Sequence, residues 1–346
     1  MPSKYEIKYL KEDGYEEWDN FVDESPQGCI FCRSWWLKAV CSSGFEILTL
    51  RKNGKIIAGM PFYSKIIIRQ KFVHMPRFTQ TLGVLLAPPS TEKYEKRLSE
   101  EMYILDILAE NTPKFNYFSM NFHYNFTNWL PFYWAGYDQT TAYTYVIEDS
   151  TDLKKVFSDF NYSKKKNIKK AEQLVIVRSD LSSKDFYSHH SLTLRKQGEF
   201  ISYDYDLFKR IYDTVYKHSA GKTLYAIDKQ SNIHAAIFVV FDKKSAYYLI
   251  STIDPDYRNS GAATLLLRDA MAYVSQYTKR FDFEGSMIRG VENSFRKFGA
   301  IQKPYFIISR NNCSLPIKIL LRLRSLGIRM VREFGLLDGS RISDFK

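Results

Sequence analysis

The chain reads as an α/β (α+β) protein built from two tandem copies of one unit, each a mixed twisted sheet flanked by helices. Three observations predict this. Period-2 and period-3.6 apolar patterns interleave along most of the chain, as expected for sheets covered by helices. The order of elements then repeats: Gly136 falls on Gly299, and the same shift of 163 places Phe118 on Phe281, Asn121 on Glu284, Phe132 on Phe295 and Tyr145 on Ile308. An earlier hairpin pairs at a shift of 177, with Leu50 on Ile227 and Gly59 on Ala236, so a difference of 14 residues falls in the intervening loops and helix. Finally, 346 residues with 45% hydrophobic content suffice for two ordinary cores without covalent staples. The boundaries that follow are 1–150, 151–312 and a basic amphipathic tail over 313–346.

In the first copy, Tyr5–Leu10 reads as an edge strand and Glu16–Asp23 as a helix. Ser34 is placed as the N-cap of a helix over Trp35–Val40. Glu46–Arg51 and Lys55–Phe62 form a hairpin around Asn53-Gly54, the strongest short-range turn signal. Further strands are expected over Lys65–Ile68 and Thr81–Leu86, the latter stopped by Pro88-Pro89. Tyr94–Asn111 is an amphipathic helix, Phe115–Phe122 a strand, Asn128–Gly136 a short helix ended by glycine, and Tyr143–Ile147 the final strand.

Between the copies, Tyr162–Ala171 opens a basic helix. At 3.6 residues per turn Lys165, Lys166, Lys169 and Lys170 share a broad face, either solvated or in contact with an anionic donor or acceptor. The strand Leu174–Arg178 and two helices within 182–216 follow. In the second copy Ala246–Ile253 is a strand, Arg258–Ala263 a turn, then come a helix, a strand Phe281–Gly285, and a short helix ending at Gly299. Gly261, Ala262 and Ala263 put no bulky side chain over the amides that open the helix, the arrangement of an anion cradle. The equivalent place in the first copy has Pro88, Pro89 and Glu92, which remove donors and add negative charge, so only the second copy keeps the cradle.

By spacing, Arg258, Gly261 and Ala263 fit the R/Q-x-x-G-x-G/A loop of the GNAT acyltransferases, and strand, loop, helix, strand, helix is the order of that family. The run from Phe281 through Glu284 and Gly285, then Gly290 to Glu292, then Phe295 to Gly299, resembles the C-terminal half of FemAB-like proteins, the double-GNAT group. The likeness is close over about residues 222–310 and weaker over roughly 20–180. It implies two tandem GNAT-like domains, the first degenerate, and an acetyl-CoA or other acyl-CoA whose pyrophosphate sits on the loop. FemAB-like proteins tend to carry a basic helix where Tyr162–Ala171 lies. Two departures stand out. Many GNAT enzymes place a tyrosine acid on the helix after the second strand, where this chain has Phe295 and Phe298, with Tyr305 further on. The interval 182–216 is also too short for the helical arm of some peptidoglycan-bridge enzymes.

Acyl transfer needs a held donor, a polarised carbonyl and a base for the nucleophile's proton. The phosphates are expected on Asn259, Ser260, Gly261, Ala262 and Ala263, with Arg258 as a charged contact, and polarisation from backbone amides where the strand ending Ser251–Ile253 parts from its neighbour. Alternation puts Asp282 and Glu284 on one face near a strand end, where ligands gather in parallel sheets. Glu284 is the first choice of base and Asp282 the structural residue of the pair. Lys165, Lys166 and Lys169 are expected to touch an anionic ligand. The expected reaction is transfer of an acetyl or similar acyl group from acyl-CoA to an amine, with an amino sugar or cell-envelope precursor as acceptor. Rival readings are a FemAB-type aminoacyltransferase using aminoacyl-tRNA, and a non-catalytic binding protein that retains the fold.

Composition bounds the partners. A net charge of +12 favours an anionic one without choosing among CoA, RNA and lipid headgroups. No apolar signal segment opens the chain and the run Ala235–Phe241 is too short to span a bilayer, so a cytoplasmic location is expected. Cys29, Cys32, Cys41 and Cys313 make no disulfide framework, and Cys29–Cys32 lacks a second ligand pair, so no metal is expected. His123, His189, His190 and His234 are isolated and read as structural. Leu315–Phe334 is a basic amphipathic helix interrupted by Gly327, suited to packing on its own domain or to lying on an anionic membrane.

Overall fold

A computed structural model describes residues 5–285 and 287–319. Most of the helix expected over Leu315–Phe334 therefore lies outside the described residues. In chain order the elements are β1 (Tyr5–Tyr9), α1 (Tyr15–Glu24), α2 (Ser34–Cys41), β2 (Phe45–Lys52), β3 (Lys55–Ile67), β4 (Gln70–His74), β5 (Leu85–Leu86), α3 (Tyr94–Glu110), β6 (Tyr117–Asn121) and α4 (Leu130–Trp134). They continue with β7 (Asp138–Ile147), α5 (Leu153–Asp159), α6 (Tyr162–Leu174), β8 (Ile176–Arg178), α7 (Ser183–Lys196), α8 (Tyr205–Lys217), β9 (Gly221–Ile227), β10 (Ile233–Phe241), β11 (Ser245–Ile253), α9 (Ala262–Val274), β12 (Arg280–Asp282), α10 (Arg289–Arg296) and β13 (Ile301–Asn311).

The chain forms two compact units, parting between Ala142 and Tyr143 and again between Lys303 and Pro304. In the first, the strand order is β1-β2-β3-β4-β6-β13, with β5 beside β3. Among the described strands paired in this unit, β4 and β6 run parallel and the other pairs antiparallel. Its interior is aromatic: Trp18, Trp36, Phe62, Phe118, Phe122 and Phe132 are fully buried. Helix α2 is not capped by its own serine. Asp19 of α1 accepts from both the Ser34 amide (2.7 Å) and the Ser34 hydroxyl (2.9 Å), so a carboxylate from a neighbouring helix does the work expected of Ser34. Cys29 and Cys32 are buried and unoxidised.

In the second unit the order is β7-β12-β11-β10-β9-β8, with β11 and β12 parallel. Strand β10 is apolar at nearly every position because both of its faces are covered, and it reads as a continuous run rather than an alternation. Helix α9 packs Leu265, Leu266, Ala270, Met271 and Val274 into the core, where they join Phe281, Phe283, Phe295 and Phe298.

The last strand of each copy is exchanged. The repeat equates Tyr145 with Ile308 and leads one to expect each closing strand beside its own copy. Instead the C-terminal part of β7 pairs antiparallel with β12, matching Ile147 to Phe281 and Val146 to Asp282. The C-terminal part of β13 pairs with β6, matching Ile307 to Asn121 through Asn311 to Tyr117. Backbone pairing is indifferent to which copy supplies the strand, so a repeat in sequence does not say where its last element goes.

One turn was also missed. Lys55–Phe62 and Lys65–Ile68 are a single long strand, and the chain reverses at Ile68-Arg69 to form β4, which the sequence reading lacks. Neither residue carries a turn signature. Thr81–Leu86 is strand only at Leu85–Leu86, with an isolated bridge from Leu82 to Phe122.

The exchange makes a prediction. A fragment of residues 1–150 lacks the strand that pairs along Tyr117–Asn121. Alone it should show no cooperative thermal transition by circular dichroism, and co-expression with 151–346 should restore one. A sharp, reversible melt of the fragment alone would show that β13 is dispensable to that sheet.

Candidate active site

The opening in the second sheet follows from register. Strands β11 and β12 pair over three positions only, Ser245 with Arg280, Ala246 with Phe281 and Tyr247 with Asp282. Beyond them β12 ends, while β11 runs on to Ile253, paired on its other side with β10. The edge of β11 from Tyr248 to Ile253 therefore leaves the β12 ladder, the parting that the sequence could only anticipate. Ser251 and Ile253 lie on this segment, half-buried, opposite Ile237 and Ala235 of β10.

After β11 the chain makes a short 3-10 turn over Pro255–Ser260 and enters α9 through Gly261. The turn is held from several sides. Lys196 of α7 bridges Asp254 (2.7 Å) and Asp256 (2.6 Å). The His234 ring stacks on Tyr257 with centroids 4.0 Å apart and 8° between planes. Arg258 is exposed and donates to Gln197 Oε1 (3.2 Å), and Lys170 of α6 donates to the Asn259 carbonyl (2.7 Å).

Gly261 is needed for a reason the sequence reading did not give. Its φ is +84°, and a Cβ there would stand 2.2 Å from the Asn167 carbonyl oxygen of α6. Glycine lets the basic helix lie directly against the turn. One of the expected amides is taken, since Ser260 Oγ accepts from Ala262 N–H (3.2 Å), while the Gly261 carbonyl opens the helix by accepting from Thr264 (3.0 Å) and Leu265 (3.1 Å). Ser260, Gly261 and Ala262 are buried, Ala263 half-buried, and Arg258 and Asn259 exposed. Solvent thus reaches Arg258, Asn259 and Ala263 more readily than the rest of the loop.

The two carboxylates do not share a face. The strand stops at Asp282, and Glu284 has φ +59°, so alternation breaks between them. Asp282 is the cause. Its Oδ1 accepts from the Glu284 amide (2.8 Å) and from the Thr144 hydroxyl of β7, closing the strand in a turn. Gly285 follows with φ +66°, and a Cβ there would meet the Tyr143 carbonyl oxygen at 2.1 Å. Asp282 is buried, and burial pushes its carboxyl up to about 6, with Glu148 adding to the rise and the two hydrogen bonds opposing it. Glu284 is half-buried at the rim of the turn.

Two phenols escaped the sequence reading. Tyr248 is the first residue of β11 past the last β12 pair, its ring 6.4 Å from Phe283 and 6.2 Å from Phe295, and burial pushes its hydroxyl up to about 12. Tyr145, on the exchanged end of β7, donates to Glu292 Oε1 (3.0 Å) and accepts from Gln302 Nε2 (2.7 Å). Strand alternation could have flagged Tyr248. Nothing local could have flagged Tyr145, which reaches α10 only through strand exchange. Phe295 and Phe298 are core, and Tyr305 belongs to the part of β13 in the first unit.

On α6, Lys165 donates to the Ser158 carbonyl (2.7 Å), while Lys166 and Lys169 are exposed. The lysine of that helix that turns inward is Lys164, which donates to Ser294 Oγ (2.8 Å) and lies 4.1 Å from the Phe298 ring centroid. Burial, with Lys297 nearby, pushes its ammonium down to about 8. His189 is buried between the Ile233 carbonyl (3.0 Å) and the Thr252 hydroxyl (3.2 Å). Among the described residues no group of three His, Cys, Asp or Glu side chains could hold a metal ion, and no helix is long and apolar enough to cross a membrane.

Residues 158–293, which run from α5 through α6, the parted strands and the turn into α10, match the family model described as an acetyltransferase (GNAT) domain. Most of the second unit thus matches a GNAT acetyltransferase domain. Over the whole chain FemX aligns at a TM-score of 0.65 with 11% identity, covering 87% of this chain and 96% of FemX. The tandem GNAT protein from the clavulanic acid biosynthesis pathway aligns at 0.50 with 7% identity, covering 88% and 98%. L-PGS from Bacillus licheniformis aligns at 0.50 with 12% identity, covering 89% and 96%. At such identities the likeness is one of fold, and it is the FemAB-like, tandem GNAT fold that the repeat and the loop motif imply. No curated protein matches the chain in sequence.

Two outcomes test the GNAT domain's geometry. Asp282 has its folded-state pKa raised to about 6, so between pH 4 and 6 the folded state binds more protons than the unfolded one and stability falls as pH rises. Asp282→Asn keeps an oxygen for both hydrogen bonds. It should abolish that fall and raise the unfolding free energy at neutral pH by roughly 2–3 kcal/mol, read by denaturant titration. A variant with the wild-type pH profile would show that Asp282 is not the titrating group. Gly261→Ala forces a side chain into the Asn167 carbonyl at positive φ and should cost on the order of 2 kcal/mol or more in denaturant unfolding.

Proposed function

We propose that the protein transfers an acetyl or similar acyl group from a CoA thioester to an amine, with an amino sugar or cell-envelope precursor as acceptor. The observation that carries this reading is the parting of β11 from β12 after Tyr247 and Asp282, beside the turn that opens α9. Backbone groups of β11 that leave a sheet ladder keep their direction but lose their strand partner, and rigid donors of this kind stabilise a developing oxyanion.

In this reading the donor's phosphates lie against the exposed side of the turn, on Arg258, Asn259 and Ala263, with Ser260, Gly261 and Ala262 shaping it from beneath. The acyl carbonyl lies along Ser251–Ile253. The amine nitrogen attacks the carbonyl carbon, the C–N bond forms and the C–S bond breaks. Glu284 takes the amine proton and the leaving thiolate takes one from a nearby acid, for which the placement of Tyr248 at the opening makes it the first candidate. Asp282 acts on Glu284 indirectly, by accepting from its amide and fixing the turn.

A second reading keeps the fold and changes the donor to an aminoacyl-tRNA. The observation in its favour is the exposure of Lys166 and Lys169 on α6, which lies against the Gly261 turn.

Differential scanning fluorimetry with CoA, acetyl-CoA and total tRNA separates the two. A ligand that binds only the native state raises the melting temperature by mass action. CoA and acetyl-CoA should do so for the wild type and less for Arg258→Glu. Glu284→Gln should keep the shift and lose about 10²-fold or more in turnover. No response to either CoA species, with tRNA binding that falls steeply with salt, would assign the protein to the second reading.

A further inference from the structure

We propose that the tip of the β3–β4 hairpin, with the helical start at Leu315 beside it, is a docking surface for an anionic lipid membrane. The first unit contains two tight hairpin turns that allow a direct comparison. Between β2 and β3 the two turn residues are Asn53 and Gly54, with φ +52° and +79°, the residues such a turn favours. Between β3 and β4 the same conformation is imposed on Ile68 and Arg69, with φ +49° and +60°. A β-branched residue at positive φ is a genuine outlier, and nothing in the packing offsets it, because Ile68 is 64% exposed.

Ile66, two residues earlier on the strand, is 78% exposed. Lys65 and Arg69 flank the pair and are exposed as well. Directly after the turn, where Gln70 pairs with Ile67, its Nε2 donates to Ser314 Oγ (2.9 Å), which sets the helical residues 315–319 next to the tip. There Leu315 and Ile319 are exposed alongside Lys318. Among the described residues Lys65, Arg69 and Lys318 have no carboxylate partner. The nearest hairpin lysine that does is Lys71, 3.4 Å from Glu46.

The patch thus combines protruding aliphatic side chains with unneutralised cations. An anionic bilayer satisfies both, since aliphatic groups enter the headgroup boundary and lysine or arginine stays at the surface. Four aliphatic side chains cover far less than the roughly 1,200 Å² a stable protein–protein interface needs, which argues against a second copy of this chain as the occupant. The inference does not rest on the acyl-transfer reading.

The test is co-sedimentation of the full chain with phosphatidylcholine vesicles and with vesicles that also contain phosphatidylglycerol. Binding is expected only to the anionic vesicles and should weaken as salt is raised. Ile66→Asp with Ile68→Asp should weaken it by about tenfold or more with an unchanged melting temperature. Ile68→Asn separates surface from stability: asparagine suits the turn, so its melting temperature should rise while vesicle binding falls. The proposal is overturned if the wild type does not sediment with anionic vesicles, or if Ile68→Asn binds them as the wild type does. It is equally overturned if light scattering shows a wild-type dimer that the double aspartate variant dissociates.

Discussion

The candidate site hangs on two backbone pairings, Phe281 with Ile147 and Asp282 with Val146. They give the short strand β12 a partner supplied by the chain's first half. With that partner comes Thr144, whose hydroxyl meets the Asp282 carboxylate and helps to end the strand there. Because β12 ends there, β11 continues past it and the two strands part. A buried carboxyl raised to about 6 is the electrostatic cost of this arrangement, and its hydrogen bonds to Thr144 and to the Glu284 amide offset that cost in part.

The turn into α9 shows a second balance, between access and rigidity. An anion cradle needs uncovered amides, yet an uncovered turn wanders. Here α6 lies so close that only glycine fits at 261, Lys196 clasps two aspartates at the base, and His234 stacks on Tyr257. The outer side, with Arg258, Asn259 and Ala263, stays open to solvent. The same contact that rigidifies the turn also brings the exposed lysines of α6 into its neighbourhood, so the glycine loop and a cationic helix face converge without any motif joining them in sequence.

Local rules fail in this molecule at particular places. Ile68-Arg69 occupies a turn that asparagine and glycine fill elsewhere in the same sheet, and Glu284 takes a positive φ where the alternation of a strand was expected. Both departures lie at surfaces or openings rather than in the core, where propensity, pattern and packing agree. At Glu284 the cause is visible in the Asp282 side chain. At Ile68, which is exposed, no packing contact offsets it.

The sequence by itself determined the fold class, the repeat, most helices and the loop that points to the GNAT domain, because hydrophobic period and glycine placement are local and survive in one dimension. Helices α3, α7 and α8 and strand β11 lie close to where their patterns place them. Tertiary structure alone decided which copy each closing strand joins, that Asp282 meets Thr144 and closes a turn instead of sharing a face with Glu284, and that Tyr145 stands against α10. These depend on hydrogen bonds between residues more than a hundred positions apart, and a backbone amide carries no mark of the partner it will find.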